Sequence, residues 1–169
     1  KGNHYHDIIQ LTGVIGSKRV LDLGGGTLMV EIHEFSEGQY TLVDFSIEAC
    51  SQAAELFRRH WKRRGFDTSL DYYCLDAIQW LKNNERRFDI TLCFGLLEYL
   101  PATALADLCA LCPSDVLCLG VSAAESYLQY PGRITIYSAE DVEQITTDAG
   151  WKEVKRLPMS SHVWARYER

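Results

Sequence analysis

The sequence predicts an α/β fold: a mostly parallel seven-stranded sheet with helices on both faces and an antiparallel hairpin at its C-terminal end. Three observations predict it. Strand-like and helix-like segments alternate along the chain, the pattern of a parallel sheet covered on both sides. The first apolar run, Val20-Leu21-Asp22-Leu23, passes directly into Gly24-Gly25-Gly26-Thr27, a bend whose missing Cβ atoms let backbone and ligand touch. The last two strand-like segments, Trp151 to Leu157 and Ser161 to Tyr167, lie too close together for a helical crossover. They must therefore pair as a hairpin, with one strand running against the sheet.

The elements follow in order. After the glycine bend a short helix is expected over Thr27 to His33. The second strand, Tyr40-Thr41-Leu42-Val43-Asp44, also stops at a carboxylate, about twenty residues on. Ser46 is placed to cap a helix in which Ala49, Ala53, Phe57 and Trp61 recur at i+4, and Gly65 is its expected stop. A third strand is read over Leu70 to Leu75, ending at Asp76, and a helix through Ile78, Trp80 and Leu81 follows. Phe88 to Phe94 reads as a fourth strand buried on both faces. Pro101 suits the first turn of the next helix, and Asp115 to Val121 supplies strand five. Ser138-Ala139-Glu140-Asp141 opens a further helix with a cap resembling a capping box. Val142, Ile145 and Ala149 mark the buried face of that helix, and Gly150 ends it.

Composition narrows the function classes. The 169 residues are 47% hydrophobic and 24% charged, as expected of one compact domain with a full-sized core. The net charge is −6 and the pI about 5.3, so no broad positive field exists to displace counterions from a nucleic-acid backbone. Nucleic acid is not an expected partner. The densest basic run, Arg58 to Arg64, falls at a helix end, where cations meet the negative end of the macrodipole. No window approaches the ~20 apolar residues of a membrane span, and the first residues carry no signal-peptide core, so a cytoplasmic, membrane-free protein is expected. Of the six cysteines, Cys74, Cys93 and Cys118 sit in apolar runs where a reduced thiol serves as a small core residue. Cys109 and Cys112 form a lone C-x-x-C, short of the four ligands of a structural zinc site, and no metal is expected.

The charge at the glycine bend separates two cofactor classes. A dinucleotide fingerprint, G-x-G-x-x-G, needs a final glycine for close helix packing beside a pyrophosphate, and Met29 stands there. Asp22 would repel a pyrophosphate but suits a cationic ligand. The segment Asp22-Leu23-Gly24-Gly25-Gly26-Thr27-Leu28 resembles the D-x-G-x-G-x-G motif of the class I S-adenosylmethionine-dependent methyltransferases, with Leu28 in place of the third glycine. The resemblance covers nearly the whole chain. It implies a Rossmann-like fold, S-adenosylmethionine as cofactor, and residues 1–17 as an N-terminal lid or linker ahead of a cofactor-binding domain over 18–169.

On that resemblance, Asp22, Gly24, Gly25 and Gly26 line the cofactor. Asp44 accepts from both ribose hydroxyls, a task its lone pairs suit, and Phe45 lies against the adenine. Asp76 and Ala77 meet the adenine edge, and Phe94 and Gly95 complete the site. A helix cap is the alternative role for each of Asp44 and Asp76. In Phe88 to Pro101, FDITLCFGLLEYLP, Glu98-Tyr99 stands where many small-molecule methyltransferases and cyclopropane synthases carry Glu-His. Glu98 is thus a candidate base and Tyr99 a candidate for orienting an acceptor, although an acid also suits a helix start. Tyr5 and His6 are candidate lid residues in a segment that equally reads as a frayed terminus. Tyr127, Tyr130 and Arg133, in a loop after strand five, are candidates for the substrate pocket.

The function this supports is methyl transfer to an O, N or C atom of a small molecule or a carrier-tethered metabolite. No N-P-P-Y-like signature follows strand four. A catalytically inactive methyltransferase-fold binding or scaffold module, motivated by Leu28 and Tyr99, is the alternative. A nicotinamide-dependent oxidoreductase is the third, opposed by Met29 and the hairpin. Lys1 is not an initiator methionine, which fits a domain of a larger protein, and a homo-oligomer is also compatible.

Overall fold

A computed structural model describes residues 10–13, 18–26, 38–60, 68–122, 135, 137–157 and 162–169. The expected helix over 27–33, the stop at Gly65 and the end of the Arg58 to Arg64 run lie outside these residues. Seven strands are formed: β1 (Arg19–Leu23), β2 (Gly38–Asp44), β3 (Thr68–Cys74), β4 (Ile90–Phe94), β5 (Val116–Ser122), β6 (Lys152–Leu157) and β7 (His162–Glu168). Four α-helices have both ends within the described residues: α1 (Ile47–His60), α2 (Ala77–Asn83), α3 (Ala104–Leu111) and α4 (Ala139–Asp148).

The strands form one sheet in the order β3-β2-β1-β4-β5-β7-β6. The first five pair in parallel, with Leu21 opposite Thr41 and Thr91, and Thr91 opposite Leu117. Strand β7 is inserted antiparallel between β5 and β6, with Leu119 opposite Ala165 and Arg156 opposite Ala165. The hairpin expected from chain spacing is thus present, and its second strand is the one that joins the sheet.

Both faces are covered. Leu21, Leu23, Val43, Cys93 and Leu119 pack with Trp80 and Leu81 of α2, Leu105 and Leu108 of α3, and Val142 of α4. Val20, Tyr40, Leu42, Ile90, Leu92 and Cys118 face the other way, onto Ala53, Leu56 and Phe57 of α1 and onto Leu11. Period-two alternation along β1 and β4 thus feeds two separate cores.

Local chemistry sets the helix ends. Ser46 Oγ accepts from the Ala49 amide at 3.1 Å. Ser138 and Asp141 form a reciprocal capping box, with bonds of 3.1 and 3.0 Å. Gly150 follows α4 in the left-handed region at φ +82°, as a helix stop requires.

Two expectations are corrected. Pro101 does not begin a helix: residues Leu97–Tyr99 form a 3-10 turn, and α3 starts at Ala104, whose amide bonds to the Pro101 carbonyl at 2.8 Å. Burial of Leu97 tightens the chain there, and Pro101 becomes the acceptor of a following turn. Cys74 is not a core residue. Cys93 and Cys118 are buried, but Cys74 is exposed, because β3 is an edge strand.

Candidate functional site

The strand order reverses between β1 and β4, so the loops leaving their carboxyl ends diverge. That is where an open α/β sheet forms a crevice. A cavity of about 320 Å³ lies there, lined by Gly24 after β1, Val43, Asp44 and Phe45 at the end of β2, Leu75 to Ala77 after β3, and Leu96, Tyr99 and Leu100 after β4.

The glycine bend is built by its neighbours. Gly24 has φ +71° and its amide donates to the Val43 carbonyl at 2.8 Å; a Cβ here would lie 2.8 Å from Leu96 Cβ. A Cβ on Gly25 would overlap the carboxylate of Asp22. Asp22 is only 5% exposed. Its carboxylate lies against the bend, under Gly25. β1 alternation turns it toward the α1 side, and the bend folds over it.

Asp44 ends β2 on the cavity wall. Its Oδ2 accepts from the Gly26 amide at 3.0 Å and its Oδ1 from the Ser46 amide at 2.8 Å. One carboxylate thus ties the bend to the entry of α1 while lining the cavity. It does not cap the helix, a role Ser46 takes. Asp76 is the N-cap of α2, its Oδ1 accepting from the Gln79 amide at 2.8 Å, and the residue also lines the cavity. Phe45 is 85% exposed at the mouth.

The segment after β4 separates its two catalytic candidates. Tyr99 lines the cavity and is half exposed. Glu98 is 2% exposed, within the 3-10 turn behind Tyr99. The turn is braced from a distance, since the Thr135 amide donates to the Glu98 carbonyl at 3.1 Å and the Thr135 hydroxyl to the Leu100 carbonyl. Burial raises the thiol pKa of nearby Cys93, with Asp22 and Glu98 adding to the shift.

Alternation turns the Phe94 ring to the α1 side, where it lies 5.5 Å from that of Trp164 and over Gly120. Gly95, at φ +75°, carries the chain from β4 toward the cavity without lining it. Tyr5, His6, Tyr127, Tyr130 and Arg133 lie outside the described residues. The sequence reading missed Leu75, Leu96 and Leu100 as lining residues. Their signal was position alone, each following the end of a parallel strand. Among the described residues no group of three or more His, Cys, Asp or Glu is placed to hold a metal, and no helix is long and apolar enough to cross a membrane.

This architecture is the class I S-adenosylmethionine-dependent methyltransferase fold. Magnesium protoporphyrin IX methyltransferase from Synechocystis PCC 6803, solved with bound S-adenosylmethionine, is similar at TM-score 0.73 and 13% identity, over 98% of this chain and 77% of that one. The N-methyltransferase NodS from Bradyrhizobium japonicum, in complex with S-adenosylhomocysteine, is similar at TM-score 0.74 and 20% identity, over 98% and 85%. The small RNA methyltransferase HEN1 is similar at TM-score 0.79 and 14% identity, over 97% of this chain and 25% of that one. No family model matches the chain, and no curated protein matches it.

Proposed function

We propose that the protein is an S-adenosylmethionine-dependent methyltransferase acting on a small molecule or a carrier-tethered metabolite. The observation that carries this reading is the placement of Asp44, with its carboxylate on the Gly26 amide and on the wall of a 320 Å³ cavity at the switch point of the sheet. The cavity is at the lower end of the usual ligand-site range, a fit for a nucleoside held between Phe45, Leu75, Leu96 and Leu100. Among the described residues two acidic and no basic ones line it, which suits ribose and adenine donors and disfavours a pyrophosphate.

In this reading Asp44 accepts from the ribose hydroxyls, and Asp76 with the Ala77 backbone meets the adenine edge. Asp22, Gly24, Gly25 and Gly26 shape the bend beside the amino-acid end. When bound, S-adenosylmethionine supplies an electrophilic methyl group on a positively charged sulfur. The protein's part is to orient an acceptor against it and to exclude water. Tyr99, at the cavity wall, orients that acceptor by hydrogen bonding, and Glu98 supports the turn that carries Tyr99. Structural neighbours include magnesium protoporphyrin, N-methyl and small RNA methyltransferases, so the fold does not select the acceptor. The net charge of −6 supports a small molecule over RNA.

Burial of Glu98 favours a second reading, a binding module that holds the nucleoside without transferring its methyl group. Two assays separate the readings. Equilibrium binding of S-adenosylmethionine with no binding of reduced nicotinamide cofactors supports the nucleoside site, and the opposite pattern overturns it. Labelled methyl transfer to a member of an acceptor panel supports the enzyme; binding with no transfer across small-molecule, carrier and RNA acceptors supports the module.

A further inference from the structure

The α1 side of the sheet edge carries a chemistry that methyl transfer does not use. Cys50 is on the first turns of α1, fully buried, and its thiol donates to the Asp44 carbonyl at 3.6 Å and lies 3.9 Å from the Tyr73 carbonyl. Cys74 is the next residue after Tyr73 and pairs in register with Asp44. Along β3, Leu70 packs onto the α1 side, so period-two alternation turns Cys74 the same way. An exposed cysteine therefore stands beside a buried one, both held by the same strand ends. Burial foremost, then a hydrogen bond with Cys74, pushes the Cys50 thiol up to about 12.

We infer that Cys50 and Cys74 form a dithiol redox site that closes to a disulfide in the presence of a small-molecule disulfide such as oxidised glutathione. Cys74, the accessible thiol, is the attacking group. Its thiolate attacks one sulfur of the oxidant, forming a mixed disulfide and releasing one glutathione thiolate. Cys50, deprotonated as it reacts, attacks Cys74 Sγ, forms the protein disulfide and displaces the second glutathione. The two cysteines lose two electrons and two protons, which leave as two glutathione thiols. The cross-link ties the first turns of α1 to the end of β3 on either side of Asp44, so the oxidation state is registered at the wall of the nucleoside cavity.

Cys93, Cys109, Cys112 and Cys118 are all buried and serve as internal controls. Burial pushes the thiols of Cys109 and Cys118 to about 12 as well, and neither has an exposed cysteine in register beside it.

The test is incubation of the folded protein with glutathione buffers of increasing oxidised fraction, quenching of free thiols by alkylation, and peptide mapping by mass spectrometry. The expected result is a linked pair of peptides containing Cys50 and Cys74, reversible with reduced glutathione, while the other four thiols alkylate only after unfolding. C50A should instead accumulate a stable glutathione adduct on Cys74, and C74S should lose both products. A stable Cys74 adduct in the unaltered protein, a linkage mapping to Cys109 and Cys112, or no reaction at either residue would overturn the inference. The mapping involves no nucleoside and is independent of the proposed methyl transfer.

Discussion

Asp44 joins three things that the sequence places far apart: the glycine bend, the start of α1 and the cavity wall. A carboxylate bonded to two backbone amides holds both acceptor atoms in fixed directions, leaving second lone pairs on each oxygen for ligand hydroxyls. Replacing it with alanine removes charge-assisted bonds of about 1.5–3 kcal/mol, so nucleoside affinity should fall roughly 10- to 100-fold. The three glycines differ sharply in what they tolerate. At Gly25 a Cβ overlaps the Asp22 carboxylate, whereas at Gly26 it meets nothing within 4 Å and only the left-handed φ of +59° resists it. Denaturant unfolding should therefore show Gly25→Ala losing about 2 kcal/mol from overpacking and Gly26→Ala about 1 kcal/mol from backbone strain; equal losses would contradict the geometry of the bend. The sequence made the need for glycine at this bend legible, but not which way Asp22 faces. A charge next to a glycine run looks the same whether it meets a ligand or props the loop, and only the pleat of β1 decides.

Helix ends were the most legible elements and the segment after β4 the least. The Ser138 cap of α4 could be read from four residues, because its bonds are local. Ser138→Ala should cost about 1 kcal/mol, measured as a lower denaturation midpoint with unchanged slope. Its partner Asp141 is held below the ordinary carboxylate range by the Ser138 backbone amide first and then its hydroxyl. A depressed folded value means that this contribution is present above the unfolded pKa and is lost as pH falls through the folded one. The stability gap between the unaltered protein and Asp141→Asn should accordingly close on acidification, and a gap that persists in strong acid would contradict the cap. The 3-10 turn over Leu97–Tyr99 was not legible. Gly95-Leu96-Leu97-Glu98-Tyr99-Leu100 is compatible with helix or strand; what fixes it is Leu97 entering the core and residue 135 bracing it from a distant part of the chain. Glu98, a candidate base from its place in this segment, is 2% exposed within the turn, a burial that local sequence does not encode.

At the scale of the whole molecule, alternating segments and the short connection before β7 were enough to predict the sheet, since a hairpin that close admits no other pairing. The position of β3 at the edge was not written in its residues, and Cys74 changes from core to surface because of it. Topology also places the cavity: reversal of strand order between β1 and β4 opens a crevice that residues from four loops line. If a nucleoside binds there and not to the unfolded chain, saturation at 100 times Kd adds ~2.7 kcal/mol, so the melting temperature should rise roughly 5–11 °C for a domain of this size. Calorimetric titration with S-adenosylhomocysteine, on the unaltered protein and on Asp44→Ala, reads the central claim most directly. The account predicts saturable one-to-one binding that weakens at least 10-fold in the variant, with circular dichroism unchanged; no binding to the unaltered protein, or equal affinity in both, would contradict it.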